Sequence, residues 1–536
     1  MWTRGRLAVI LSLLIGMVLG ACSTNRLAPE AQESLLALSR ATGLPLASPT
    51  QEETHLVATS TPPNAATQPP PVWTQTNLAP TEAATAALTP QAQTLAASLY
   101  VLSAKLDYAN HHLVVEERIE YLNTTPVELK EIVLLVEPAR YPGAFSLASL
   151  NWEDGAKAFH WQKEAQIHLP LRGPLPPGSR IGFSLAYELQ LPQTSKYTNL
   201  RPRPFGYTDL QANLGDWYPF VPPYDPHKGW LAHEASPFGE YLAYESADFE
   251  VNLSLGERQG DLVVAASAPA EVDGEWLRYR LAKARSFAWS VSPYYEVAAE
   301  SVAREGREPV TVKSYYFPFY KEAGLRVAQT SADALALYER LFGPYPHAML
   351  SVVQADFIDG MEYDGLYFIS KDFYNWYRGT ESELLVAIAA HETCHQWWYG
   401  LVGNDPALEP WLDEALCTYC ERLYYELVEP GGLDWWRTYR VDYFEPQGKI
   451  DLTVYDVQGE AESYRAYRDV VYLNGALFLE ELRQLTGEQA FFAFLADYRQ
   501  RYTYQLASGT GFFETLRQHT PVDLTPLIEK YFRAAY

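Results

Sequence analysis

Cysteine is nearly absent. Four in 536 residues, Cys22, Cys394, Cys417 and Cys420, cannot form a disulfide-dense scaffold, so packed cores must hold the fold. Bases are also short: 41 Lys and Arg against 66 Asp and Glu leave a net charge of −25, which excludes a surface built to neutralise nucleic-acid phosphates. No segment recurs with a period of about 20–50 residues, which argues against a solenoid or propeller. What is present is apolar. Hydrophobic residues make up 48% and aromatics 14%, with only 20% charged, a composition for several packed cores rather than a disordered or fibrous chain.

The ends of the chain differ from its middle. Arg4 and Arg6 precede an apolar run from Leu7 to Ala21 that is too short for a comfortable membrane span, so residues 1–21 read as an export signal. The run ends Leu19-Gly20-Ala21-Cys22, which resembles the lipobox of bacterial lipoproteins. Cys22 is then expected to be the lipidated first residue of a mature protein held to a membrane of the bacterial cell envelope, outside the cytoplasm. An uncleaved anchor with an incidental cysteine is the alternative. Residues 22–98 are rich in Pro, Thr and Ala, and Glu82 is the only charged residue between Thr54 and Ala104. Such a stretch buries too little apolar surface to offset its ordering entropy and is expected to be a disordered tether, spanning on the order of 45 Å root mean square.

From 99 to 302 apolar and polar residues alternate with period two, as in His112 to Tyr121, Ile132 to Val136, Arg180 to Leu191, Asp248 to Leu255 and Ser286 to Val291. This predicts an all-β, sandwich-like domain. From 303 to 536 helical periodicity dominates, in Glu322 to Phe342, Leu384 to Tyr399, Trp411 to Glu426, Val470 to Leu485 and Glu488 to Tyr502. The fold class expected is therefore α+β and multidomain, with the β part first and a mainly helical part second.

Within the second of those helices stands His391-Glu392-Thr393-Cys394-His395, which puts two imidazoles at i and i+4 on one helical face with a carboxylate beside them. Neutral imidazoles so spaced can share one Zn²⁺. Glu414, in Trp411-Leu412-Asp413-Glu414, opens the next helix after a loop holding Gly403, Pro406 and Pro410, and supplies a third ligand. Two His and one Glu leave the fourth tetrahedral position open for water, as a hydrolytic site requires, although the same set also accepts other divalent ions.

These motifs, with Phe342-Gly343-Pro344-Tyr345-Pro346 and Gly360-Met361-Glu362, resemble the gluzincin zinc aminopeptidases, the family that includes aminopeptidase N. The resemblance is close from about Tyr338 to Glu480 and loose over the β region. It implies a thermolysin-like zinc metallopeptidase domain behind the β domain, acting on peptides with a free N-terminus. Glu392 is then the general base, and Glu421, two turns beyond Glu414, either orients a zinc histidine or forms an exposed salt bridge. Gly360, Met361 and Glu362 match the substrate-binding signature whose glutamate takes the α-ammonium; pairing with a local base is the alternative for Glu362. The residue after it is Tyr363, where the family usually has asparagine. The second amine-binding acid that the β domain often supplies is not assigned. Tyr472 matches the tyrosine that donates to the oxyanion, with Tyr467 and Tyr464 as fallbacks and Asn474 where a lysine is usual. Cys394, Cys417 and Cys420 are read as buried packing thiols, with a disulfide between two of them open outside the cytoplasm. The end at Tyr536 leads to the expectation that the helical C-terminal domain of larger relatives is absent. An endopeptidase on the same zinc site and a catalytically silent peptide-binding lipoprotein are the other functions the sequence allows.

Overall fold

Alternation drives the first half of the described chain into strands. The computed structural model describes residues 97–536 apart from 195–203, 259, 358 and 457–460, so the export signal, Cys22 and nearly all of the 22–98 tether lie outside the described residues. Seven strands, β1 (Ser98–Asp107), β2 (His112–Leu122), β3 (Phe145–Trp152), β4 (Arg180–Gln190), β5 (Ala247–Ser254), β6 (Glu271–Asp273) and β7 (Trp276–Ala284), form one sheet in the order β6-β7-β5-β1-β2-β4-β3. Along β2, Leu113, Val115, Glu117, Ile119 and Tyr121 all face inward, because a period-two repeat puts every second residue on one face. Leu102 and Val115 of this sheet share one apolar core with Ile132 and Leu169 of a three-stranded sheet and Leu214 and Val291 of a four-stranded one.

A second sheet follows, built from β8 (Glu296–Arg304), β9 (Arg307–Tyr316), β10 (Met349–Ala355), β11 (Gly360–Tyr363) and β12 (Leu366–Ser370), in the order β8-β9-β10-β12-β11. The boundary at 302/303 expected from the sequence falls inside β8, so the joint between the sheet systems lies at about 293–295. A hairpin carries the same alternation on both sides of such a joint, which hides it from periodicity. β10 is parallel to β9 and β12 and buried throughout, while β11 pairs antiparallel at the edge.

Three helices pack on this second sheet, α1 (Lys321–Phe342), α2 (Lys371–Trp376) and α3 (Leu384–Cys394), and α4 (Trp411–Leu427), α5 (Ala461–Arg468), α6 (Gly475–Thr486) and α7 (Glu488–Tyr502) build the helical part beyond them. α1 stops at Gly343, whose φ of +98° suits glycine, with Pro344 behind it. Every residue of α3 from Leu385 to Cys394 is buried, as a helix that is apolar all round must be. The expected extension of this helix to Tyr399 overshoots. The side chain of Gln396 donates to the Tyr363 carbonyl (3.0 Å) and accepts from the Gly365 amide (2.9 Å), drawing the chain into turns beside β11 and β12. His395 still keeps helical dihedrals at the cap, so it remains one turn from His391.

Two cross-links hold this end of α3. Buried Arg285 donates to the carbonyls of Tyr244 (2.8 Å), Gly400 (3.0 Å) and Gln505 (2.9 Å), and its own amide donates to Asp364 (2.6 Å), tying the first sheet system to the turn after α3. Cys394 and Cys420 form a disulfide between α3 and α4, with Cα atoms 6.4 Å apart, which decides between the two readings left open for that pair. Cys417 is a buried free thiol, pushed up by burial.

Candidate metal centre and its cavity

Leu384, Ile388, His391 and His395 recur every three or four residues, with Glu392 beside His391, so one face of α3 presents them all to a cavity of about 120 Å³. α4 enters from the other side. Its Trp411 is fixed among Phe478, Phe512 and Phe532, and its first turn, where helix N–H groups favour negative charge, carries Asp413 and Glu414. The Nε2 atoms of His391 and His395 lie 3.1 Å apart, and the Glu414 Oε2 atom lies 3.2 Å from the first and 3.6 Å from the second. Ligands about 2.0–2.1 Å from a tetrahedral zinc are separated by about 3.3 Å. The triangle therefore fits one zinc ion, and His391, His395 and Glu414 are the residues that would hold it.

Charge supports the fit. Burial pushes the His391 imidazole down, but the Glu414 and Glu421 carboxylates more than reverse it and hold it up at about 9, the mark of a site whose field calls for a cation. The outer nitrogens are tied as well. His391 Nδ1 faces Glu421 Oε1 at 3.1 Å, and His395 Nδ1 faces the Trp398 carbonyl at 3.1 Å. Glu421 in turn accepts from Arg440 Nε (2.9 Å) and Nη2 (2.8 Å) and from Trp436 Nε1 (2.9 Å). Burial opposes its ionisation, but Arg440 and His391 keep its carboxyl below the usual range. Glu421 thus orients His391 and is no surface acid. Arg440 and Trp436, which hold it, carry no signal of their own in the sequence.

Glu392 is 5% exposed, and its Oε2 atom is buried without a hydrogen-bond partner among the described residues. Burial pushes its carboxyl up to about 8, with Glu362 and Glu414 adding to the rise and the two imidazoles opposing it. Gly360 lies directly against it, for a Cβ there would stand 1.9 Å from Glu392 Oε1. Glu362 follows two residues on along β11 and lines the same cavity, whereas Met361 faces the other way. The side chain of Met361, expected among the substrate-binding residues, packs on a small apolar cluster with Tyr363 and Phe368, because a strand sends alternate residues to opposite faces. Tyr363, standing where the family has asparagine, donates to Asp216 (3.1 Å).

Tyr472 rather than Tyr467 meets the metal ligands. Its hydroxyl donates to Glu414 Oε1 (2.5 Å), and its ring lies parallel to that of His391. It sits in a π-helical turn (Asp469–Asn474) ahead of α6, an irregularity common at functional sites. Asn474 donates to the Gly448 carbonyl (2.8 Å). Two further acids line the cavity that sequence reasoning missed, Glu240 and Asp359. Ligand atoms of Glu240, Glu362 and Glu414 come within 4.8 Å of one another. Glu240 follows Gly239, whose φ of +67° and approach to Tyr467 and Val454 leave no room for a side chain. One glycine before one of 66 acids gives no signal in the sequence that would single Glu240 out.

Two His and one Glu converging on a cavity, with a second carboxylate, Glu392, beside them, define a metallopeptidase-type centre. Residues 327–531 match the family model described as Peptidase family M1 domain. Aminopeptidase N of Homo sapiens is 26% identical over 134 residues, which is 24% of this chain and 14% of that protein. Leucyl aminopeptidase of Saccharolobus solfataricus is 22% identical over 249 residues, 43% of this chain and 30% of that protein. The matches thus span under a third of either relative's length. The crystal structure of an M1 zinc metallopeptidase from Deinococcus radiodurans aligns with a TM-score of 0.59 at 17% identity, covering 82% of this chain and 95% of that chain, and shows the same fold.

Proposed function

We propose that this chain is a zinc aminopeptidase that releases N-terminal residues from peptides. The observation that carries the reading is the contiguity of two sets of side chains, the His391, His395 and Glu414 triangle and the Glu240 and Glu362 pair, around one cavity. A bound zinc ion supplies a Lewis acid for the scissile carbonyl and lowers the pKa of water. Glu392, held dry against Gly360, takes a proton from the attacking water and passes it to the departing amine. The Tyr472 hydroxyl exchanges its bond to Glu414 for one to the carbonyl oxygen as negative charge develops there. Glu240 and Glu362 together accept the α-ammonium of the substrate through charge-assisted hydrogen bonds, which places the first peptide bond over Glu392.

The same proposal places the protein outside the cytoplasm of a bacterial cell, held to a membrane through lipidated Cys22. It rests on the Leu7 to Ala21 run and the Leu19-Gly20-Ala21-Cys22 motif. The test of function uses one peptide with a free and with a blocked amino end, incubated with the zinc-loaded protein with and without chelator. Cleavage of the free form alone, abolished by chelator and restored by zinc, is expected. Equal cleavage of both forms would favour an endopeptidase, and cleavage of neither with zinc bound would favour a peptide-binding lipoprotein.

A further inference from the structure

We propose that Arg285 and Tyr399 are positioning residues for the metal ligand His395, which they serve by holding the Trp398 carbonyl against its outer nitrogen. The ligands come from α3 and α4, and what the first sheet system adds is the orientation of one of them. The inference rests on the zinc reading of the His391, His395 and Glu414 triangle. A histidine that ligates through Nε2 is fixed by the group its Nδ1–H donates to. The two histidines differ in that group. His391 Nδ1 faces the Glu421 carboxylate, whereas His395 Nδ1 faces the Trp398 carbonyl. A carbonyl is only as well placed as its peptide plane.

That plane is held in an uncommon state. Rotation about the φ bond of Tyr399 turns the Trp398–Tyr399 peptide, and this φ is +137°, a region that bulky residues rarely adopt. In it the Trp398 carbonyl faces His395 while the Tyr399 amide donates to the Val402 carbonyl (3.0 Å). Such a backbone persists only where its surroundings impose it. Arg285 and Ser286, adjacent in the chain, do so. Arg285 Nε donates to the carbonyls of Tyr399 (2.5 Å) and Gly400 (3.0 Å), its Nη2 donates to that of Leu401 (3.4 Å), and the Ser286 and Tyr399 hydroxyls share a hydrogen bond (2.9 Å). A Cβ at Gly403 would stand 2.4 Å from Arg285 Cζ, so the guanidinium lies flush on this turn.

The partners of the cation point the same way. Arg285 is 3% exposed, and among the described residues its side chain donates to backbone carbonyls alone, those of Tyr399, Gly400, Leu401, Tyr244 and Gln505. Asp364 and Glu245 favour its charge without an ion pair to the guanidinium. Hydrogen bonds from a charged donor are about twice as strong as neutral ones, and three of these acceptors are consecutive residues of the turn that follows His395. One other group competes for the role. The buried Cys417 thiol interacts with His395 and lies 3.8 Å from the Trp398 carbonyl, but a thiol is a weak donor and a weak acceptor.

The test measures zinc affinity by competition with a chelator and the His395 Nδ1–H resonance of the zinc-loaded protein by proton NMR, neither of which needs turnover. Arg285→Met should weaken zinc binding by about 10- to 100-fold, the usual worth of the group behind a metal-bound histidine, and displace the His395 resonance while that of His391 stays in place. Arg285→Lys keeps the charge without the planar fork and should fall between the two, which decides the matter if the methionine variant does not fold. Tyr399→Phe removes only the bond to Ser286 and should show a smaller loss in the same direction. A lowered melting temperature with zinc affinity and resonance unmoved in all three variants means a purely structural role and overturns the inference. Cys417→Ala should leave the affinity unchanged, and a loss as large as that of the Arg285 variants overturns the inference by giving the role to the thiol. Peptide cleavage separates it from the aminopeptidase reading. Zinc affinity that depends on Arg285 in a protein that cleaves no peptide removes that reading and leaves the inference standing. Cleavage of free peptides with zinc affinity indifferent to Arg285 does the reverse.

Discussion

The cavity has two walls made in different ways. The metal wall comes from α3 and α4, with His391, Glu392 and His395 inside one helical turn and Glu414 nineteen residues later. The acid wall comes from Glu240 in the first half of the chain and from Asp359 and Glu362 at the edge strand of the second sheet. Helical spacing alone assembles most of the metal wall. The acid wall exists only once two sheet systems have docked, so it depends on contacts such as those of Arg285 and Gly239. Chemistry and selectivity therefore rest on different parts of the fold and can be broken separately.

The largest expected effect falls on the metal wall. Glu392→Gln should lower kcat by about 10²- to 10⁴-fold, the usual worth of a general base, while zinc content measured by atomic emission stays at one per chain. Loss of zinc along with activity would mean that Glu392 serves the site structurally, and the division between the walls would not hold. Gly360 belongs to both walls, because β11 carries it beside Glu362 while it touches Glu392. Gly360→Ala must push the Glu392 carboxylate aside, since the added methyl would stand 1.9 Å from its Oε1 atom. A misplacement of that size costs about 10²-fold in turnover. Zinc content and melting temperature should change little, and unaltered kinetics would show that Glu392 has room the structure denies it.

The acid wall should respond through binding. Glu240→Gln and Glu362→Gln each remove one charged acceptor for the ammonium, and kcat/KM on a free peptide should fall about 10- to 100-fold, chiefly through KM. Discrimination against the blocked peptide should fall with it. If only Glu362 matters, the acid wall is one residue deep and the docking of the first sheet system is incidental to binding.

What could be read from the sequence follows the same division. His391, His395 and Glu414 were legible because ligand spacing on helices is a local property, and Glu421 because it repeats the face of Glu414. Strands such as His112–Leu122 and helices such as Glu488–Tyr502 were legible from periodicity. Glu240 was not, for its place depends on a chain crossing from one sheet system to the other. For Met361 the motif gives identity without direction, and strand alternation turns its side chain to the apolar cluster. The joint at 293–295 was invisible because β8 and β9 alternate as the earlier strands do. Cys394 and Cys420 were ambiguous because pairing depends on how α3 and α4 pack.

A third region sharpens the contrast by showing a buried acid that, among the described residues, has no cation to serve. Glu117 faces the core of the first sheet, 2% exposed, and among the described residues neither carboxylate oxygen has a hydrogen-bond partner in normal geometry. Burial raises its pKa well above 4.5, and the neighbouring Tyr187 hydroxyl offsets this only in part. The folded state therefore holds this proton at pH values where the unfolded chain has released it. Stability falls as pH rises above about 4.5 toward the folded value, by about 1.4 kcal/mol for each unit of that rise. Glu117→Gln keeps the shape and removes the penalty. Its melting temperature by calorimetry should exceed the parent's at pH 8, by about 2–4 °C for each kcal/mol recovered, and match it at pH 4. An equal change at both pH values would locate the effect in packing, and a loss at pH 8 would mean that Glu117 is ionised and paired in the core.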